Sequence, residues 1–303
     1  MKEKCQKGVK GDFIFYQQGN QIVYISIYDQ TDKSIVFEQI HTTDLNPELQ
    51  LEAPINWIKK GAKGASQWIL YELDLENGEV LEAFSPPKRG FISFGNEMPL
   101  LSKFFLVAWE EMPDSRRKRL PKTNKIWSPQ KKILNAPVPL EKSALWRHYW
   151  PKDESALSGL RIDLHLDPET NETFPYMIDI QNKIGPLARF QQIDQGKGAP
   201  PCAKYFPRRH PDFGPQIRQK GDILHTTVTC GKGFYPFQLF LEEVDTHHAV
   251  PVTFESEKKD ETYQLKILIP AQVTKSGKKF RLLGKTTGIH QSRFDSIEVF
   301  ELN

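Results

Sequence analysis

Apolar and polar positions alternate with period two along most of the chain, the spacing at which successive side chains of a strand point to opposite faces. Residues 21–28, QIVYISIY, put Ile22, Tyr24, Ser26 and Tyr28 on one face and Val23, Ile25 and Ile27 on the other. A polar turn follows, and IVFEQI at 35–40 completes a predicted hairpin. A clearer hairpin joins QWILYELDL (67–75) to EVLEAF (79–84) through Glu76-Asn77-Gly78. Asn-Gly suits such a turn because both residues tolerate positive φ. A third runs from LRIDLHLD (160–167) through PETNE to TFPYMIDI (173–180). Further strand patterns are FQLFLEEV (237–244), VPVTFE (250–255), YQLKILI (263–269), KFRLLG (279–284) and SIEVFEL (296–302).

Helical periodicity is scarce. Asn96 as cap and Pro99 in the first turn predict a helix over LLSKFFLVAWEE, although FFLVAW (104–109) fits a buried strand equally well. A second short helix is expected around Pro54–Lys60. The predicted fold is therefore mainly β: antiparallel hairpins built into sandwiches or barrels, with one or two short helices.

Proline refines this picture, since it cannot donate to a strand ladder. Fourteen of the 22 prolines lie between Pro113 and Pro215, so the middle third is expected to be rich in loops and edges. Its most polar part suggests a division into 1–112, a basic linker or long loop at 113–139, and 140–303. The alternative is one large β domain. A shift of 93 residues aligns Trp57 with Trp150 and gives seven identities over the 23 positions from Trp57 to Glu79. Duplication would produce that echo, and so would any two hairpins rich in acidic residues.

Composition narrows the class. Hydrophobic residues are 38% of 303, with 19 Phe, 9 Tyr and 6 Trp, enough for a substantial core. Forty-one Lys and Arg against 38 Asp and Glu leave a net charge of +3, which argues for no particular partner. Cys5, Cys202 and Cys230 are odd in number and form no CxxC, which fits a reducing compartment. The N-terminal MKEKCQKGVK lacks an apolar core, and FFLVAW is far too short to span a bilayer. A cytoplasmic chain without a membrane span is the expectation.

Candidate chemistry comes in three groups. Asp163, His165 and Asp167 alternate and would share one strand face; imidazole and carboxylates suit a divalent transition metal and metal-assisted hydrolysis. The same pattern describes an ordinary polar strand face, and Asp167-Pro168 also opens a turn. Trp146, His148, Tyr149 and Trp150 place four rings in five residues, enough to wall a ligand pocket or simply to fill core. Arg116, Arg117, Lys118 and Arg119 begin a run of eight cations in 17 residues that encloses Trp127, and Arg208 and Arg209 belong to a second basic region. Cations with an interleaved aromatic fit a polyanion or nucleic acid, and equally two solvated loops.

Two other motifs fail on spacing. Gly284-Lys285-Thr286-Thr287 lacks the earlier glycine of a phosphate-binding loop, since Lys279 stands there. No G-x-S-x-G elbow occurs. The reading is a β-rich protein that binds a small ligand or protein partner without catalysis and without a required cofactor. A metal-dependent hydrolase at Asp163/His165/Asp167 is the first alternative, and polyanion binding through the basic loops the second.

Overall fold

The computed structural model describes residues 1–50, 53–94, 98–105, 107–259, 262–271, 273 and 277–302. It is mainly β and antiparallel, with four short α-helices among the described residues. The chain divides into two compact units, Met1–Phe206 and Pro207–Asn303.

The strands of the first unit are β1 (Phe13–Gln18), β2 (Gln21–Gln30), β3 (Ser34–Thr43), β4 (Gln67–Asp74), β5 (Val80–Ser85), β6 (Gly90–Phe91), β7 (Glu110–Glu111), β8 (Lys131–Ile133), β9 (Ala136–Val138), β10 (Ala144–Tyr149), β11 (Arg161–Leu166), β12 (Met177–Gln181) and β13 (Pro186–Gly196). Its helices are α1 (Lys2–Lys7), α2 (Pro47–Gln50), α3 (Pro54–Lys59) and α4 (Leu100–Phe105). Eleven strands make one sheet in the order β6-β5-β4-β3-β2-β1-β13-β12-β11-β10-β7, and β8 and β9 form a separate hairpin. The sheet curls into a nearly closed barrel around one core. That core takes alternate residues from both halves of the sheet: Val23, Ile25 and Ile27, Ile35 and Phe37, Ile69 and Tyr71, then Ile162, Leu164, Ile178 and Ile180.

The division expected at 113–139 is corrected here. β1 pairs with β13, Phe13 facing Gly196 and Gln17 facing Gln191. Strands from 1–112 and from 140–206 therefore share one sheet and one core, and the boundary lies at Phe206/Pro207. β2 is buried on both faces because α3 brings Trp57 and Ile58 over Ile22 and Tyr24. Glu38 holds residues 202–203 to this unit: its carboxylate accepts the Cys202 and Ala203 N–H groups at 2.9 and 2.7 Å.

Short apolar runs are ambiguous, and Leu100–Phe105 resolves as helix. The Asn96 cap lies outside the described residues. Among the described residues no helix is long and apolar enough to cross a membrane, and all three cysteines are free.

The second unit has β14 (Asp212–Phe213), β15 (Arg218–Lys220), β16 (Ile223–Thr229), β17 (Phe237–Glu243), β18 (His248–Lys259), β19 (Thr262–Leu268), β20 (Lys279–Thr286), β21 (Arg293–Asp295) and β22 (Phe300–Glu301). The order is β14-β16-β19-β18-β17-β20-β21, with β15 beside β16 and β22 beside β20. The end strands β14 and β21 touch, and the Phe213 and Phe294 rings lie 4.9 Å apart, so this sheet also wraps around its core. Leu224, Val228, Tyr263, Leu265, Ile267 and Leu282 fill it. Gly284 belongs to β20 and faces Phe294, whose ring would lie only 2.1 Å from an added Cβ, so close packing explains that glycine.

Candidate functional site

β10 to β13 carry a row of charges on the outer face of the first unit. The register places Arg147 opposite Asp163, Asp163 opposite Asp179, and Asp179 opposite Arg189. Side chains directly opposite across strands are in contact range, so the Arg147–Asp163 and Asp179–Arg189 pairs stabilise the sheet and flank the two carboxylates that face each other. Arg147 donates to both Asp163 oxygens, from Nε at 2.7 Å and Nη2 at 2.9 Å. Asp163 also lies 3.5 Å from Arg161 Nε. Asp179 accepts from Gln181 Nε2 at 2.5 Å and Arg189 Nη2 at 3.2 Å.

His165 follows Asp163 on the same face and is 3% exposed. Its ring meets Trp127 edge-on at 5.7 Å and lies 6.1 Å from Tyr176. Nδ1 is buried without a hydrogen-bond partner among the described residues. Burial, and then the positive charge of Arg117, push the imidazole pKa down to about 4. Asp167 completes the predicted triad just beyond the strand. Its Oδ2 accepts from Lys131 Nζ at 2.8 Å and its Oδ1 from the Glu169 N–H at 3.0 Å, the turn bond that Asp-Pro favours. Lys131 also reaches Glu172 at 2.5 Å. Burial works against its charge, but the hydrogen bonds it donates to Asp167 and Glu172 outweigh it and raise its pKa.

The triad thus shares a region, but its carboxylates are engaged with Arg147 and Lys131. Among the described residues no three or more His, Cys, Asp or Glu side chains gather as a metal-binding group.

In the basic segment Arg116, Lys118 and Arg119 are exposed, while Arg117 is drawn inward. Residues 113–139 form a strap over β10–β13. Arg117 is 6% exposed at its side chain and donates to the Ser143 carbonyl at 2.5 Å. Arg116 pairs with Glu110 at 2.7 Å. Lys118 sits over the Trp127 ring at 5.6 Å, and Arg119 donates to the Asn124 carbonyl at 2.9 Å. Further along, Leu134 N–H donates to Asp194 and Asn135 N–H to the Ile193 carbonyl, tying the strap to β13. Arg208 and Arg209 belong to the second unit, and both have interaction partners there or elsewhere in the chain.

The ring cluster is split by strand alternation. Trp146 packs against the core, and Trp150 is part of it. His148 donates from Nδ1 to the Ala108 carbonyl at 3.0 Å and meets the Trp109 and Trp150 rings at 5.9 and 5.8 Å. Tyr149 points the other way and is 63% exposed. These four do not wall one pocket.

The second unit has a different kind of site. Its outer face holds an open trough of about 520 Å³, lined by residues of β15, β16, β18 and β19 and by the approach to β15. Leu224, Thr226 and Val228 turn inward on β16, and Tyr263, Leu265 and Ile267 on β19. The intervening residues therefore face the trough. The register aligns Arg218, His225, Lys266 and Glu255 in one row across four strands. Thr227, Gln264 and Glu257 form the next row. Sequence reasoning missed this site because β16 carries no motif. The strand patterns at 250–255 and 263–269 were legible, and in β16 the inward Leu-Thr-Val alternation is the signal that was available.

A family model described as CT021 protein matches residues 23–136. The match covers fewer than half of the residues and lies within the first unit. Among solved structures, the hypothetical protein CT021 from Chlamydia trachomatis is similar in fold, with a TM-score of 0.51 and 18% sequence identity. The similarity covers 68% of this chain and 96% of that one. At this identity the likeness concerns the fold alone. No curated protein matches.

Proposed function

We propose that this protein is a non-enzymatic binding protein that recognises a polar partner through the outer face of its second unit. The observation that carries this reading is the trough: an open cavity of about 520 Å³ on which Arg218, His225, Lys266, Glu255 and Glu257 converge with Gln216 and Gln264, beside Thr, Ser, Pro and Leu residues. Binding sites are concave and present a few convergent polar groups, and this trough has both properties. The charged groups of the first unit favour a structural role instead, because Asp163 and Asp167 neutralise buried cations.

The test is site-specific photocrosslinking in a lysate of the source cells. A benzophenone side chain at Gln264 is expected to capture one dominant partner, identified by mass spectrometry. A benzophenone at Ile184, exposed on the first unit, should not capture it. Arg218→Glu with Lys266→Glu should abolish the adduct. Adducts that are equal at both positions, or that survive the double substitution, would refute the reading. Turnover in a hydrolase screen that vanished in Asp163→Asn would replace it with the enzymatic alternative.

A further inference from the structure

The geometry points to an extended peptide segment of mixed charge as the occupant of the trough: an acidic residue, one spacer and a basic residue. This inference rests on the binding reading above and adds the chemistry of the ligand. Polarity of charge is the first argument. Arg218, His225 and Lys266 stand on three neighbouring strands, whereas Glu255 and Glu257 both stand on β18. One side of the trough carries Arg218 and Lys266 and the other Glu255 and Glu257, so a purely acidic ligand would meet two carboxylates and a purely basic one two cations.

Availability is the second argument. Among the described residues, none of these five side chains is in an ion pair, and the one hydrogen bond found is from Arg218 to Gln216 Oε1 at 2.6 Å. The first unit contrasts with this, since Arg147 pairs with Asp163 and Arg189 with Asp179. Basic side chains set directly opposite one another weaken a sheet. In this row Glu255 lies opposite Lys266 alone, and Arg218 at the far end has no acidic neighbour, which leaves its charge open to a partner's carboxylate.

Dimensions give the third argument. Neighbouring strands are about 4.8 Å apart, so the row from Arg218 to Glu255 spans roughly 14 Å. An extended peptide advances about 3.3 Å per residue and places residues i and i+2 on one side, about 7 Å apart. An acidic side chain near His225 and a long basic one two residues on can reach Glu255 and Glu257. Thr227 and Gln264, in the row of Glu257, offer partners to the peptide backbone. The lining has no aromatic residue, so affinity should be modest and sensitive to salt.

The experiment uses the full chain, ¹⁵N-labelled, titrated with four capped pentapeptides and with inorganic phosphate. The peptides are Gly-Asp-Ser-Lys-Gly, the acidic Gly-Asp-Ser-Asp-Gly, the basic Gly-Lys-Ser-Lys-Gly and the neutral Gly-Asn-Ser-Gln-Gly. The mixed peptide should bind about tenfold more tightly than the neutral one, a difference of about 1.4 kcal/mol. Amide shifts should centre on Thr227, Gln264 and Glu255. Glu255→Gln with Glu257→Gln should remove the advantage of the mixed peptide over the acidic one. Arg218→Gln with Lys266→Gln should remove its advantage over the basic one. All four residues are exposed, and an unchanged melting temperature checks that the variants fold. If the acidic peptide or phosphate binds as tightly as the mixed peptide, the trough is an anion site and the inference fails. Absence of shifts with every probe also overturns it, while a Gln264 crosslink lost in the Arg218/Lys266 variant would leave the broader binding reading standing.

Discussion

His165 sets a pH dependence for the first unit. Its folded pKa of about 4 lies below the ordinary 6.5, so the unfolded chain takes up the proton first as acid is added. Its contribution should be constant above pH 6.5, decline as pH falls from 6.5 towards 4, and then level off. The whole decline is on the order of 3 kcal/mol, at about 1.4 per pH unit. Urea midpoints across that range should fall in the wild type, and His165→Gln should remove most of this slope. The neighbouring ion pair gives a second expectation. Asp163→Ala leaves the half-buried Arg147 without its bidentate partner, which should cost about 3–5 kcal/mol in urea unfolding. The double variant with Arg147→Ala should recover part of that loss. A loss below about 1 kcal/mol would mean that water replaces the carboxylate at no great cost.

Among the elements, the β4–β5 hairpin and the strap are the most informative. Gly78 has φ of 70°, and an added Cβ would lie 2.5 Å from Phe105 Cβ. The Asn-Gly signal identified the turn. The close approach of α4, where Ser102 Oγ donates to the Gly78 carbonyl at 2.6 Å, lies beyond any local pattern. Gly78→Ala combines backbone strain with overpacking and should lower stability by about 1–3 kcal/mol, measured by thermal melting. The strap is expected to keep His165 dry through Trp127. Trp127→Ala should admit water and move the imidazole pKa back towards 6.5, visible in the pH titration of the ring resonances by NMR. An unmoved pKa would place the source of the shift in the strands alone.

At the scale of the molecule, the two units make a prediction that separates the present boundary from the one suggested by proline and charge. Residues 207–303 have their own sheet and core and should fold alone, with a cooperative melt. Residues 1–112 should not, because β1 would lose β13 and the core would lose Ile162, Leu164, Ile178 and Ile180. A well-dispersed NMR spectrum from 1–112 would restore the earlier division.

Period-two alternation and turn residues were enough to establish the antiparallel β class, the hairpins at 21–40, 67–84 and 160–180, and the short helix at Pro54. Both signals act between near neighbours in sequence. They also placed Asp163 and His165 on one face. Several strands escaped because their patterns were weak or interrupted: β1, β10, β13 and β16 carry glutamines, an arginine or threonines at positions that tertiary contacts bury or pair. Only the tertiary structure decided what faces those side chains. Arg147 and Asp179 meet Asp163 by strand register, Lys131 reaches Asp167 from the strap, and four strands bring Arg218, His225, Lys266 and Glu255 into one row. Register depends on pairing between residues as far apart as His225 and Lys266, and no local propensity encodes it.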